Sequence, residues 1–224
     1  MIAGYGVFGL NIKAKVRAVS DLVKPELPIA AGVCVVAGEI LVLRQLPSVA
    51  DAFLGFLAGF FISGSAMISN DYFDLDVDRI NHPQRPLPSG RITTLELVLL
   101  TCFFSIAGLL AAAVLGVLTI TLASVFLAVG LLYNWKFKET GLPGNLMVSL
   151  SVSITFIFGG AAVGGLASGI VWVFAVLAFM FDLAEEIAGG AMDMKGDELR
   201  SSKSLAILKG QTFALRISAV LLGT

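Results

Sequence analysis

The chain has 224 residues, of which 57% are hydrophobic and only 14% charged, with a formal net charge of −1 at pH 7 and a mean hydropathy of +0.93. These values exclude an ordinary soluble domain and a basic surface for nucleic acid, so any electrostatic argument has to be local. Cys34 and Cys102 both lie inside apolar runs, where a thiol acts as a small hydrophobe rather than as half of a disulfide.

The N-terminus carries Gly4, Gly6 and Gly9, then Lys13, Lys15 and Arg17. It lacks the ordered basic, apolar and small-residue blocks of a secretory signal and reads as a cytoplasmic segment suited to an interfacial helix. Crossing about 30 Å of hydrocarbon takes about 20 apolar residues in a helix, because only internal hydrogen bonding satisfies the backbone there. Runs of that size fall at 28–46, 52–70, 95–114, 117–134, 146–165, 168–187 and 205–223. Leu95 to Tyr133 is too long for one crossing and is split near Gly116. The predicted fold is all-α, a polytopic transmembrane helical bundle of about seven spans, with residues 1–224 forming one domain that no linker or repeat divides.

Lys and Arg collect on the cytoplasmic side of short loops. Here Lys24 precedes the first span. Arg79, Arg85 and Arg91 follow the second, Lys136 and Lys138 the fourth, and Lys195, Arg200, Lys203 and Lys209 the sixth. Of the basic residues only Arg44 falls near an opposite loop. The predicted N-terminus is therefore inside, and every loop rich in chemistry shares the cytoplasmic face.

The second span ends in NDYFDLDVDRINHPQRPLPSGRI, Asn70 to Ile92. Asn70, Asp74 and Asp78 recur every four residues, which on a helix forms a stripe about 80° wide and brings three oxygen ligands together. Such hard donors suit Mg²⁺, which takes one or two carboxylates, keeps waters and fills its shell with phosphate oxygens. Asp71 and Asp76 are expected to point elsewhere, supporting the ligands or facing water. An acidic helix end facing water is the plain alternative. It is disfavoured because carboxylates at a membrane boundary repel one another unless cations compensate. The segment Arg85 to Arg91 carries two prolines and is expected to fold as an ordered loop bringing two guanidiniums back over the site. A second cluster, DLAEEIAGGAMDMKGDELRSSKS, follows the sixth span. Asp193 and Asp197 are four apart, and Glu186 and Asp182 would extend the stripe if Gly189 and Gly190 do not break the helix. Paired clusters of this kind suit two Mg²⁺ ions clamping one diphosphate. The segment from Tyr133 to Asn145 adds Tyr133, Asn134, Lys136 and Lys138 to the same face. His82 and the mid-span Glu39 are read as structural.

At these residues the sequence resembles the UbiA superfamily of intramembrane prenyltransferases. The signature NDxxDxxxD stands as Asn70, Asp71, Asp74 and Asp78. The acidic DxxxD ending in Gly-Asp stands as Asp193 to Asp197. The Tyr-Asn…Lys…Gly-Asn segment between them is similar too, so the resemblance spans about residues 20–210. Glu185, Gly189 and Gly190 stand where the family usually has Arg, Lys and Asp. The family usually has nine spans, so the last two would be absent from this chain.

The resemblance implies a helical bundle around a central cavity capped by cytoplasmic loops, in a cell-membrane enzyme. Asn70, Asp74 and Asp78 would hold one Mg²⁺, and Asp193 with Asp197 a second, bridged by a prenyl diphosphate. Asn70, Asp71, Asp74, Asp78, Tyr133, Asp193 and Asp197 are the catalytic candidates, Tyr133 steadying an allylic cation with its ring. Lys24, Arg85, Asn134, Lys138, Asn145 and Lys203 are the substrate-binding candidates. The run Asp71 to Ile92 is most similar to the archaeal members that transfer a geranylgeranyl group to the hydroxyl of geranylgeranylglyceryl phosphate, a lipid phosphate acceptor. An aromatic acceptor is the alternative within the family, and an ion or phosphate transporter the alternative outside it. The base that takes the hydroxyl proton is left open among Asp71, Asp78 and pyrophosphate.

Overall fold

Residues 12–194 and 202–223 are described by the structure, a computed structural model. The expectations for Asp197, Lys195, Arg200 and the N-terminal glycines lie outside the described residues. Ten α-helices are present among the described residues, and no strand. A short helix α1 (Ile12–Val23) leads into α2 (Glu26–Leu43) and α3 (Val49–Phe73). After α4 (Leu75–Asn81) come α5 (Thr94–Leu115) and α6 (Val117–Leu132), the latter running into a π turn at Tyr133–Phe137. Then follow α7 (Leu142–Ala162), α8 (Gly169–Met192), α9 (Leu205–Lys209) and α10 (Gln211–Leu222).

Among the described residues, five helical segments are long and apolar enough to cross a membrane: α2, α3, α5, α6 with its π turn, and α7. The outward face of α5 exposes Phe103, Leu110 and Val114 at 59%, 62% and 72%. Such a stripe belongs against lipid, since a water-soluble protein rarely presents so much contiguous apolar surface. The chain is an integral membrane protein. Helix α8 has the length to span, at 24 residues, but its second half carries Asp182, Glu185 and Glu186.

Two expectations change. The seventh run is two short helices, α9 and α10, separated at Gly210, whose φ of +92° suits glycine and interrupts the helix. Helix α10 alone, at 12 residues, is shorter than the about 20 that a crossing needs. Conversely, Gly189 and Gly190 do not break α8, which continues to Met192. The division near Gly116 is found where expected, with the Thr119 hydroxyl donating to the Ala112 carbonyl at 2.7 Å across the break.

With lipid outside there is little hydrophobic drive to bring helices together, so close backbone approach and buried polar contacts must do it. Helices α2 and α7 meet through glycine. A Cβ on Gly159 would strike the Val35 carbonyl, and one on Gly38 the Phe156 carbonyl. The hydroxyls of Ser65 and Ser105 join α3 to α5 at 2.7 Å, and Ser218 donates to the Ala184 carbonyl of α8 at 2.8 Å. Glu39 is fully buried in α2, with neither carboxylate oxygen bonded among the described residues. At one end of the bundle, Ala18 and Leu22 of α1 pack with Ile68, Leu87, Ile92 and Leu97. That cluster seats α1 and the loop after α4 on the end of α3, where the acidic residues begin.

Candidate active site

Helix α3 ends at Phe73 and α4 begins at Leu75, with Asp74 between them at φ −86° and ψ −1°. The i to i−4 bonds still continue from Asp74 to Asn70 and from Asp78 to Asp74. The backbone bends at Asp74 without losing helical phase, so Asn70, Asp74 and Asp78 keep the order read from their spacing.

Three carboxylates of this run, Asp71, Asp74 and Asp78, each meet a cation from beyond their own helix. Asp71 accepts from Lys24 Nζ at 2.8 Å, Asp78 from Arg85 at 2.6 Å, and Asp74 pairs with Lys138. Asp71 was expected to be a supporting or solvated residue. It is not solvated but fully buried, with Oδ2 unbonded among the described residues. The reason lies 47 positions earlier: Lys24 caps the end of α1 and brings its ammonium down onto Asp71. Asp76 does face water, with its side chain 92% exposed, and pairs only with its helical neighbour Arg79.

The loop after α4 is ordered, as its prolines implied. Ile92 N–H donates to the Pro86 carbonyl at 3.0 Å, and Leu87 and Ile92 are buried. Only one of its two guanidiniums turns toward the acidic run. Arg85 does so, while Arg91 bonds Asp21 of α1 and the Gln84 carbonyl. His82 caps α4 through its backbone and its side chain is exposed.

The π turn sets the opposing wall. Lys138 N–H reaches back five residues to the Tyr133 carbonyl at 3.0 Å, and π turns of this kind gather at functional sites. The extra residue redirects the chain so that Asn134 points into α3 and Lys138 onto Asp74. Asn134 was expected to meet substrate. Its amide nitrogen instead donates to the Ala66 carbonyl at 2.8 Å and to Ser69 Oγ at 2.9 Å, with the residue 7% exposed. Its place is that of a clamp between the π turn and α3. Asn70 stands between Lys138 and Asp74. With its amide turned to suit both, its oxygen accepts from Lys138 Nζ at 2.8 Å and its nitrogen donates to Asp74 Oδ2 at 3.1 Å.

Beyond Lys138 lies a cavity of about 270 Å³ whose lining includes Tyr133, Lys138, Asn145, Glu186, Asp193 and Ser204. It lies between the π turn and the end of α8, so Lys138 belongs to both the first acidic run and this hollow. Tyr133, Asn145 and Asp193 are therefore brought to one cavity. Lys203 is not: its side chain is exposed and absent from the lining, while its backbone N–H donates to the Glu139 carbonyl at 3.0 Å. Ser204 carried no signal in the sequence beyond being a serine after a lysine.

Among the described residues, no three carboxylate, imidazole or thiol groups surround one point. An ion held here would take few protein oxygens and complete its shell with water and ligand oxygens, the habit of Mg²⁺ rather than of Zn²⁺ or Ca²⁺.

The sequence profile described as the UbiA prenyltransferase family matches residues 31–224. The chain belongs to that family. Among its relatives is the digeranylgeranylglyceryl phosphate synthase of Methanopyrus kandleri, 36% identical over 206 residues that make up 91% of this chain and 74% of the relative. The protein of the same name from Ignicoccus hospitalis is 34% identical over 217 residues, 95% of this chain and 71% of its own. A solved structure described as concerning digeranylgeranylglyceryl phosphate synthase in membranes superposes with a TM-score of 0.81 at 26% identity, covering 93% of this chain and 74% of that one. A UbiA homolog from Archaeoglobus fulgidus bound to GPP and Mg²⁺ shares the fold, with a TM-score of 0.75 at 20% identity over 92% of this chain and 74% of its own.

Proposed function

We propose that this prenyltransferase moves a geranylgeranyl group from its diphosphate to the hydroxyl of geranylgeranylglyceryl phosphate, forming an ether bond of an archaeal membrane lipid. One observation carries the reading. Three carboxylates of α3 and α4, each matched by a cation, stand beside a cavity that Asp193 enters from the end of α8. The names and substrates of the relatives support the same chemistry.

The donor set fits Mg²⁺. Asn70, Asp74 and Asp78 offer hard oxygens, and the Lys138 and Arg85 contacts mark positions where carboxylate charge needs a cation. These three residues would hold one ion, and Asp193 with Asp197 a second, the diphosphate lying between them. The ions supply charge neutralisation of the departing pyrophosphate. Lys138 and Arg85, which now neutralise Asp74 and Asp78, would be the cations available to phosphate oxygens, and Lys24 is a further candidate ammonium. The allylic C–O bond breaks with its electron pair leaving on pyrophosphate. The acceptor oxygen forms the new C–O bond and releases its proton. Asp71 and Asp78 are nearly sealed from solvent and each already bonds a cation, which favours pyrophosphate as the proton acceptor. Tyr133, on the cavity wall, presents its ring to the cation. The Lys and Arg content of the loops at this end of the bundle supports a cytoplasmic orientation for it.

The test is to give the full-length protein in nanodiscs geranylgeranyl diphosphate with Mg²⁺ and either geranylgeranylglyceryl phosphate or a panel of aromatic acids. Mass spectrometry should find the diether phosphate. Prenylated aromatic product with none of the ether would reassign the acceptor.

A further inference from the structure

Ser204 sits just before α9, at a position where a serine hydroxyl ordinarily accepts a bond from the first turn of the helix. Here it does not. Its side chain makes no capping bond, the residue is 7% exposed, and its Oγ has no hydrogen-bond partner among the described residues. Buried hydroxyls are nearly always satisfied, so an orphan on the wall of a cavity asks what it is there to meet. Its backbone is fixed from the facing loop. Lys203 N–H donates to the Glu139 carbonyl at 3.0 Å, and the glycine at 141, at φ +72°, lets that loop lie against the Lys203 carbonyl where a Cβ would collide. Ser204 is thus held rigidly in the wall of the hollow that Lys138, Asn145 and Asp193 also line, with its unbonded hydroxyl buried there.

We propose that Ser204 is a substrate-contact residue whose hydroxyl donates to a phosphate oxygen bound between the π-turn loop and the end of α8. This deepens the reading above and rests on it. Lys138 and Asn145 supply donors on the same wall, while Glu186 and Asp193 oppose a bare anion, so the phosphate enters with its cation. The phosphate is either the diphosphate of the donor or the monoester of the acceptor lipid, and the chemistry at Ser204 is the same for both.

A capping hydroxyl and a ligand-seeking one respond oppositely to removal. In ligand-free full-length protein, Ser204→Ala should leave the unfolding temperature unchanged or raise it, because no bond is lost and an unsatisfied polar atom is removed. The same variant should weaken binding of geranylgeranyl thiolodiphosphate with Mg²⁺, or of geranylgeranylglyceryl phosphate, by about tenfold or more, as expected for a hydrogen bond to a charged group. Ser204→Thr, which keeps the hydroxyl, should bind within about threefold of wild type. Loss confined to the thiolodiphosphate assigns the contact to the donor, and loss confined to the glyceryl phosphate assigns it to the acceptor. A lowered unfolding temperature with both affinities intact overturns the proposal. If the wild-type protein binds neither ligand, the parent reading falls and this one with it; wild-type binding that Ser204→Ala does not alter sinks only this one.

Discussion

Replacing Lys24 with Met should destabilise the protein far more than loss of a surface lysine, and replacing Asp71 with Asn in the same chain should restore much of that stability. Asp71 is wholly buried, Lys24 is its only bonded partner among the described residues, and its second oxygen has none. Removing the ammonium strands a carboxylate away from water. Breaking a buried ion pair from one side costs about 3–5 kcal/mol, and the 28% exposure of the Lys24 side chain puts the cost near the lower end. Lys24 also holds a left-handed φ of +50°, which Met would share, so backbone strain cancels from the comparison. For a protein of this size each kcal/mol shifts the midpoint by about 2–4 °C, so Lys24→Met should unfold about 6–12 °C lower. Thermal unfolding in nanodiscs, followed by intrinsic fluorescence, reads the three variants and wild type as a double-mutant cycle. A Lys24→Met protein as stable as wild type, or a double variant no better than the single, would refute the claim that Asp71 depends on Lys24.

Asp74→Ala and Asp193→Ala should each leave an inserted, folded protein whose turnover falls by about 10²-fold or more, and EDTA should abolish activity in wild type; full activity in all three conditions would contradict a metal site built from both clusters. Asn134→Ala frees the π turn from Ala66 and Ser69 and leaves Ser69 short of a partner, so it should lower stability by about 1–3 kcal/mol with little change in product identity. Single cysteines at Ser89 and Ser202 should label from the same side of sealed vesicles. Labelling from opposite faces would separate the two clusters and remove the shared cap.

Much of the site was legible because charge at a membrane boundary is conspicuous. Asn70, Asp74, Asp78 and Asp193 stand out against apolar surroundings, and their helical spacing survives the bend at Asp74. What could not be read depends on contacts distant in sequence. The burial of Asp71 needs Lys24, which α1 delivers only once Leu22 and Ala18 have packed into the loop after α4. The π turn at Tyr133 to Phe137 has no local signature, and without it Asn134 reads as a substrate contact rather than as a clamp. Ser204 became visible only through its missing bond. Among the spans, Gly116 announced a real break and Gly210 another that apolar length concealed, whereas Gly189 and Gly190 stay helical within α8. A glycine pair lowers helix propensity by about 2 kcal/mol, which the packing of Leu183, Ile187 and Ala191 against α9 and α10 offsets.

The proposed site holds a cation-bound diphosphate between the first acidic run and the end of α8. The direct measurement is a structure of the full-length protein with geranylgeranyl thiolodiphosphate and Mn²⁺, the metal located by its anomalous signal. A metal peak is expected within coordination distance of Asn70, Asp74 and Asp78, with Lys138 and Arg85 moved from those carboxylates onto phosphate oxygens. A diphosphate bound elsewhere, with Asp74 and Asp78 still paired to Lys138 and Arg85, would contradict it.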